Sequence, residues 1–256
     1  MFALIVKELR SYANQRQYRR GMFVILVLLA FTLFATAFES FARSTQAGSP
    51  TNLGAGLYGI LVTVFFGLLL CFVVPVQIIG AIEIEKRSSN FGLLLMTPLN
   101  PWGLLGGKLI GGLVAAFWPV WLASPLFWLS IYTGGLELVQ TLACILVMIS
   151  ASLVFSMVGI GFALFGSARH AISRSYAIIL LITFLPLILS HTFTLTPRME
   201  ALLRALSPLC VLLSIVRSET DFLYGVMPIW GWMMCVYALL SAFMFWMTGK
   251  RIASLS

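Results

Sequence analysis

The ionisable side chains are few enough to test one by one for chemistry. Of 256 residues, 9% are charged and two are histidines. His170 falls between two apolar runs and His191 at the far end of the next run. They should sit on opposite faces of whatever those runs cross, so a shared metal or catalytic dyad is not expected. Glu83, Glu85 and Arg87 bring two carboxylates close together, the raw material of acid–base work. They are not adjacent, and no histidine stands at the same depth. Gly106, Gly107 and Lys108 match the end of a phosphate-cradling loop. Yet Trp102 stands where the first glycine is needed, and Leu109 where Ser or Thr would hold magnesium. Glu137 is the one acid near an apolar run, at its expected outer end. The cysteines Cys71, Cys144, Cys210 and Cys235 share no close spacing and read as small buried hydrophobes. The expectation is a chain that is not an enzyme and binds no metal or cofactor of its own.

The elements around these residues are apolar. Hydrophobic residues make up 61% of the chain, and mean hydropathy is +1.03. A soluble domain would expose too much apolar surface at these values, so lipid must be part of the solvent. Charges divide the sequence into uncharged runs at 21–38, 44–82, 109–136, 138–168, 175–197 and 222–249. The second opens polar and glycine-rich, so its span is placed at 57–82. Each can cross a hydrocarbon core of ~30 Å at ~1.5 Å per helical residue. Residues 205–216 are uncharged too, but suit a re-entrant or interfacial helix. The predicted fold is an all-α membrane protein of six transmembrane helices in a single domain, 1–256.

Orientation follows from the basic residues. With both termini inside, twelve of the sixteen Lys and Arg fall on the cytoplasmic side, with three of the eight acids. The inner side then carries +9 and the outer side −1, out of a net +8. The basic balance is thus a membrane-orientation signature and not a nucleic-acid footprint. The expected location is the inner (cytoplasmic) membrane.

Residues 1–20 read as an amphipathic interfacial helix, with Phe2, Ile5, Val6, Leu9 and Ala13 on one face. Pro75 should kink the second span and Gln77 should face another helix. Pro119 and Pro125 should bend the third, and Pro186 lies in the fifth. A short loop, 167–174, should turn the chain inside between the fourth and fifth. The external stretch 191–221 reads as a re-entrant helical hairpin, with Pro208 in the first turn of its second helix. Between the second and third spans, Ser88 or Ser89 can cap a short helix that Pro98 stops, with Phe91, Leu94 and Leu95 on one face. It is too short to cross, so it should lie along the inner surface and offer its apolar face to a partner.

This inner segment resembles that of the permease subunits of ABC-2 type ABC transporters. Glu85, Lys86 and Arg87 fit the start of the family pattern, Leu94, Leu95, Thr97 and Pro98 its middle, and Lys108 its end. Ser89 and Gly92 depart from it, standing where glycine and a second glutamate are usual. Lys7-Glu8-Leu9-Arg10, the six spans, the outer hairpin and the short basic tail fit along the whole chain. The resemblance implies an ATP-driven transporter, and the mostly apolar spans expected to line its pathway favour a hydrophobic or amphipathic cargo and export over import. Two permeases, identical or paralogous, would pair, each docking on a separate ATPase subunit that binds ATP and magnesium. Residues 88–98 would be the coupling helix. Glu85 and Arg87 would make polar contacts with the ATPase, and Phe91, Leu94 and Leu95 would anchor it. Pro75, Gln77 and Pro186 would lie on the spans lining the pathway. The alternative is a non-transporting membrane scaffold, sensor or assembly factor of the same fold, and a membrane-embedded enzyme ranks third.

Overall fold

The computed structural model describes residues 73–87, 101–132, 137–165, 168–192, 196–216, 222–223 and 227–253, with single positions among 23–38 and at 59 and 61. Almost everything described is helix. In chain order the elements are α1 (Val74–Arg87), α2 (Pro101–Tyr132), α3 (Leu138–Phe165), α4 (Ala168–Thr192), α5 (Pro197–Leu206) and α6 (Pro208–Val216). A minimal antiparallel ladder follows, β1 (Phe222–Leu223) with β2 (Met227–Pro228), and then α7 (Ile229–Ala253). The interfacial helix expected at 1–20 and the coupling helix at 88–98 lie outside the described residues.

This is a membrane protein. Three described helices are long and apolar enough to cross a bilayer, at Leu138–Leu164, His170–Leu189 and Ile229–Ala253. They become four if the bent pair α5–α6 counts as one span. The three match the runs expected at 138–168, 175–197 and 222–249. The outward faces of α4 and α7 carry Leu181, Phe184, Ile188, Leu239, Phe243 and Met247, all exposed. A soluble protein does not tolerate so continuous an apolar surface.

α3 is the centre. In its most apolar window 78% is buried, against 22% for α4 and 17% for α7. It packs on α1, α2, α4, α6 and α7. Its small residues explain how so many helices can reach it, because small side chains let backbones approach. Ser150, Ser152 and Ser156 donate their hydroxyls to carbonyls of their own helix, at Val147, Ile149 and Ser152. Their polarity is therefore satisfied without a partner helix. At Gly159 an added Cβ would stand 3.4 Å from Ile79 and 3.8 Å from the Cα of Pro75, so α1 lies directly on α3. Phe155, Ile78, Ile79, Ile82, Ile179 and Leu212 fill the core between them.

Three boundaries differ from the sequence expectation. The loop placed at 167–174 is helical from Ala168, because charge marks where hydrocarbon ends and not where a helix must. The last helix begins at Ile229 instead of 222, after Pro228, and runs through Lys250 and Arg251. Those two cations sit in its last turn, where the helix dipole favours them. Helix α2 already starts at Pro101, so Gly106–Lys108 lie inside a helix. α2 continues through Pro119 and Pro125, though its apolar stretch Trp102–Trp118 ends at the first of them.

Candidate functional site

At its C-terminal end, α1 brings Glu85, Lys86 and Arg87 into its last turn. Glu85 and Arg87 thus sit where the chain leaves α1 for the inner segment. Phe91, Leu94 and Leu95 lie outside the described residues. The residue whose role is visible is Lys86. Its Nζ donates to the carbonyls of Ala163 (2.6 Å) and Leu164 (2.8 Å). These belong to the last turn of α3, where carbonyls lack intrahelical partners and the dipole is negative. Lys86 therefore caps α3 from another helix and pins the inner end of α1 to the most buried helix. Partial burial lowers its pKa below the ordinary lysine value, while two carbonyl acceptors favour the charged form.

Nearby, Lys108 of α2 is buried among Ile82, Leu104, Leu105, Ile160, Leu164 and Ile252. Trp102 packs on Phe245 of α7 at 5.5 Å. Gly249 is buried against the Trp102 indole so closely that any Cβ there would overlap the ring. Lys250 stands 5.3 Å over the ring of Trp246, a cation–π contact suited to a lysine reaching for the headgroups. The C-terminal ends of α1, α3 and α7 and the N-terminal end of α2 are thus gathered into one packed base.

Pro75 is buried near the start of α1. Val73, just before it, is in a π-type turn, the local adjustment that accompanies an interrupted ladder. Gln77 is half-buried on α1. Pro186 is buried inside α4. α1 packs against α4, so the structure brings the proline-bearing helices side by side.

The stretch 191–221 holds α5 and α6, which meet at a 103° bend. Thr196 precedes Pro197 in extended backbone, and Pro208 opens α6. Glu200 and Arg204 pair across one turn of α5 at 2.7 Å. Ser207, between the helices, donates to the Thr183 carbonyl of α4 at 2.7 Å. Tyr237 of α7 donates to the Leu206 carbonyl at 2.8 Å. Ser207 and Tyr237 were not singled out from sequence. The Ser-Pro step marks an N-cap, but nothing in it reveals the partner on α4.

Between α2 and α3 a slot of about 580 Å³ opens, lined by Leu113, Phe117, Trp121, Trp128, Ile145 and Ile149 among others. The glycines of 106–112, earlier on α2, are buried, and bulky aromatics line the slot. The Thr141 and Ser152 hydroxyls donate to their own helix, at Glu137 and Ile149, so the slot presents mainly hydrocarbon.

Among the described residues, no three of His, Cys, Asp and Glu come together. His170 and His191 lie near opposite ends of α4, roughly 30 Å apart along its axis. Of the cysteines, Cys144 is buried, Cys210 half-buried and Cys235 exposed on α7. Cys235 therefore departs from the buried reading, and Cys71 is outside the described residues. A scan against protein-family models finds no match for this chain, and a search of curated proteins finds none.

Proposed function

We propose that the chain is the membrane-spanning permease subunit of an ABC-2 type transporter, working as an exporter and driven by a separate ATPase subunit. The observation that carries the reading is the course of α1. It packs beside α4, which carries Pro186, lies on the central α3, and ends in Glu85-Lys86-Arg87 at the entry to the segment 88–98. A push delivered to that segment would reach α1 through a helix end that Lys86 already fixes to α3. Coupling through a contacted rigid element is a physical route between distant sites.

In this reading six helices span the membrane, both termini are cytoplasmic, and residues 88–98 dock in a groove of the ATPase. Glu85 and Arg87 form the polar rim of that contact, and Phe91, Leu94 and Leu95 its apolar anchor. A second permease completes the pathway beside α1 and α4, where Pro75, Gln77 and Pro186 lie. The mostly apolar helices suit a hydrophobic or amphipathic cargo.

The test is co-expression with the ATPase subunit encoded in the same genome and reconstitution of the complex into liposomes. A permease makes ATP hydrolysis depend on cargo and moves that cargo across the bilayer. A complex that hydrolyses ATP without moving any of a panel of amphipathic compounds is a scaffold, and the transport reading then fails.

A further inference from the structure

The bend of the outer hairpin is fixed to the body of the protein by two hydroxyls. Ser207 is wholly buried and uses its hydroxyl twice. Its Oγ accepts the N–H of Cys210 at 3.4 Å, which caps the start of α6. The same hydroxyl donates to the Thr183 carbonyl, 24 residues earlier on α4. One residue back, the Leu206 carbonyl at the end of α5 accepts the Tyr237 hydroxyl from α7. Neither tether belongs to a helix ladder, and each joins the apex to a different long helix.

The acceptor on α4 sits in the turn that Pro186 disturbs. Proline removes the donor that the Ile182 carbonyl would use, and its ring crowds that turn. In an apolar setting such carbonyls need another donor, which neighbouring helices or hydroxyls supply. Ser207 gives a further donor to the Thr183 carbonyl, one residue on in the same turn. The Thr183 hydroxyl itself is fully buried with no hydrogen-bond partner among the described residues. The turn is therefore the polar weak point of α4, and the hairpin apex sits on it.

We propose that Ser207 and Tyr237 form a two-point latch that holds the outer hairpin against the proline turn of α4, so that hairpin and bend move as one unit. Undocking the apex takes the Ser207 hydroxyl from the Thr183 carbonyl and the Tyr237 hydroxyl from the Leu206 carbonyl, which opposes opening. The latch is a property of this chain alone. Its use as the outer gate of a pathway rests on the permease reading.

Both are positioning residues, and their variants separate the tethers. Tyr237→Phe is isosteric and removes only the link to α7. Ser207→Ala removes the link to α4 and the cap, whereas Ser207→Thr keeps a hydroxyl for both. Hydrogen bonds between membrane helices are modest, so each loss should shift the docked-to-undocked ratio by about three- to twentyfold.

The experiment is pulsed electron paramagnetic resonance on the full chain in nanodiscs, with the native cysteines replaced by alanine. Spin labels go on two exposed positions, Met199 of α5 and Ile188 of α4. The latch predicts one narrow distance population for the parent and for Ser207→Thr. Ser207→Ala, Tyr237→Phe and the double variant should add a longer population, largest in the double. Superimposable distributions for parent and double variant would overturn the latch, as would Ser207→Thr behaving like Ser207→Ala. If Ser207→Ala fails to fold, Tyr237→Phe and Ser207→Thr carry the test. No ATPase is present, so failure here is distinct from failure of the permease reading.

Discussion

Replacing Lys86 by methionine isolates the cap that joins α1 to α3. Methionine keeps an unbranched apolar stem of similar length, so packing along the side chain survives while the donors vanish. The two carbonyls of Ala163 and Leu164 then lose bonds of 2.6 and 2.8 Å. A hydrogen bond to a charged group contributes ~1.5–3 kcal/mol when well sheltered, but Lys86 is only half-buried and solvent screens it. A cation at a partly buried helix C-terminus contributes ~0.3–2 kcal/mol. These bounds place the loss at about 1–2 kcal/mol, which in a domain of this size lowers the melting temperature by about 2–8 °C. The assay is tryptophan fluorescence of the nanodisc-embedded chain during heating at one fixed scan rate, because membrane proteins unfold irreversibly. Lys86→Arg, which keeps charge and donors, should recover most of the loss. A methionine variant within about 1 °C of the parent would refute the cap as a stabilising contact. Equal losses in methionine and arginine variants would show that shape, not charge, is at work.

Other consequences follow from named contacts. Gly249→Ala should push the Trp102 indole away from α7 and destabilise the inner base by about 1–3 kcal/mol, read as a lower melting temperature with a shifted tryptophan emission. Gly161→Ala, where an added Cβ meets nothing within 4 Å, should leave both unchanged. A single cysteine at Ser89 should react with an impermeant maleimide only from the cytoplasmic side, and one at Glu200 only from outside. The reverse pattern would invert the topology.

Much of the fold was legible because hydrocarbon imposes a length. The run 138–168 became α3 at Leu138–Phe165 almost unchanged, since an uncharged stretch in lipid has little option but helix. The break between α5 and α6 was legible for a different reason. A Ser-Pro step cannot continue a helix but can start one, and it divides α5 from α6 at Ser207. Helix ends were less legible. Arg169, His170 and Arg174 end the apolar run but not the helix, because charged residues form helix readily in the headgroup region. The contacts that fix the site were not legible at all. Lys86 and its acceptors are 77 and 78 residues apart, and Trp102 meets Gly249 across most of the chain. No local pattern encodes such pairs. The sequence singled out Glu85 and Arg87 beside Lys86 for their charge, while the residue between them holds the visible joint.

The central claim is that this chain docks on a separate motor through residues 88–98. Its most direct test is co-purification of the proposed ATPase subunit with the tagged chain from membranes, comparing the parent with a Phe91→Asp, Leu95→Asp double variant. Two carboxylates on the apolar face would have to be buried unpaired in the groove, which disfavours docking strongly. The account predicts that the ATPase is retained by the parent and lost from the variant, while both chains reach the membrane in equal amount. Equal retention of the ATPase by the two would contradict it.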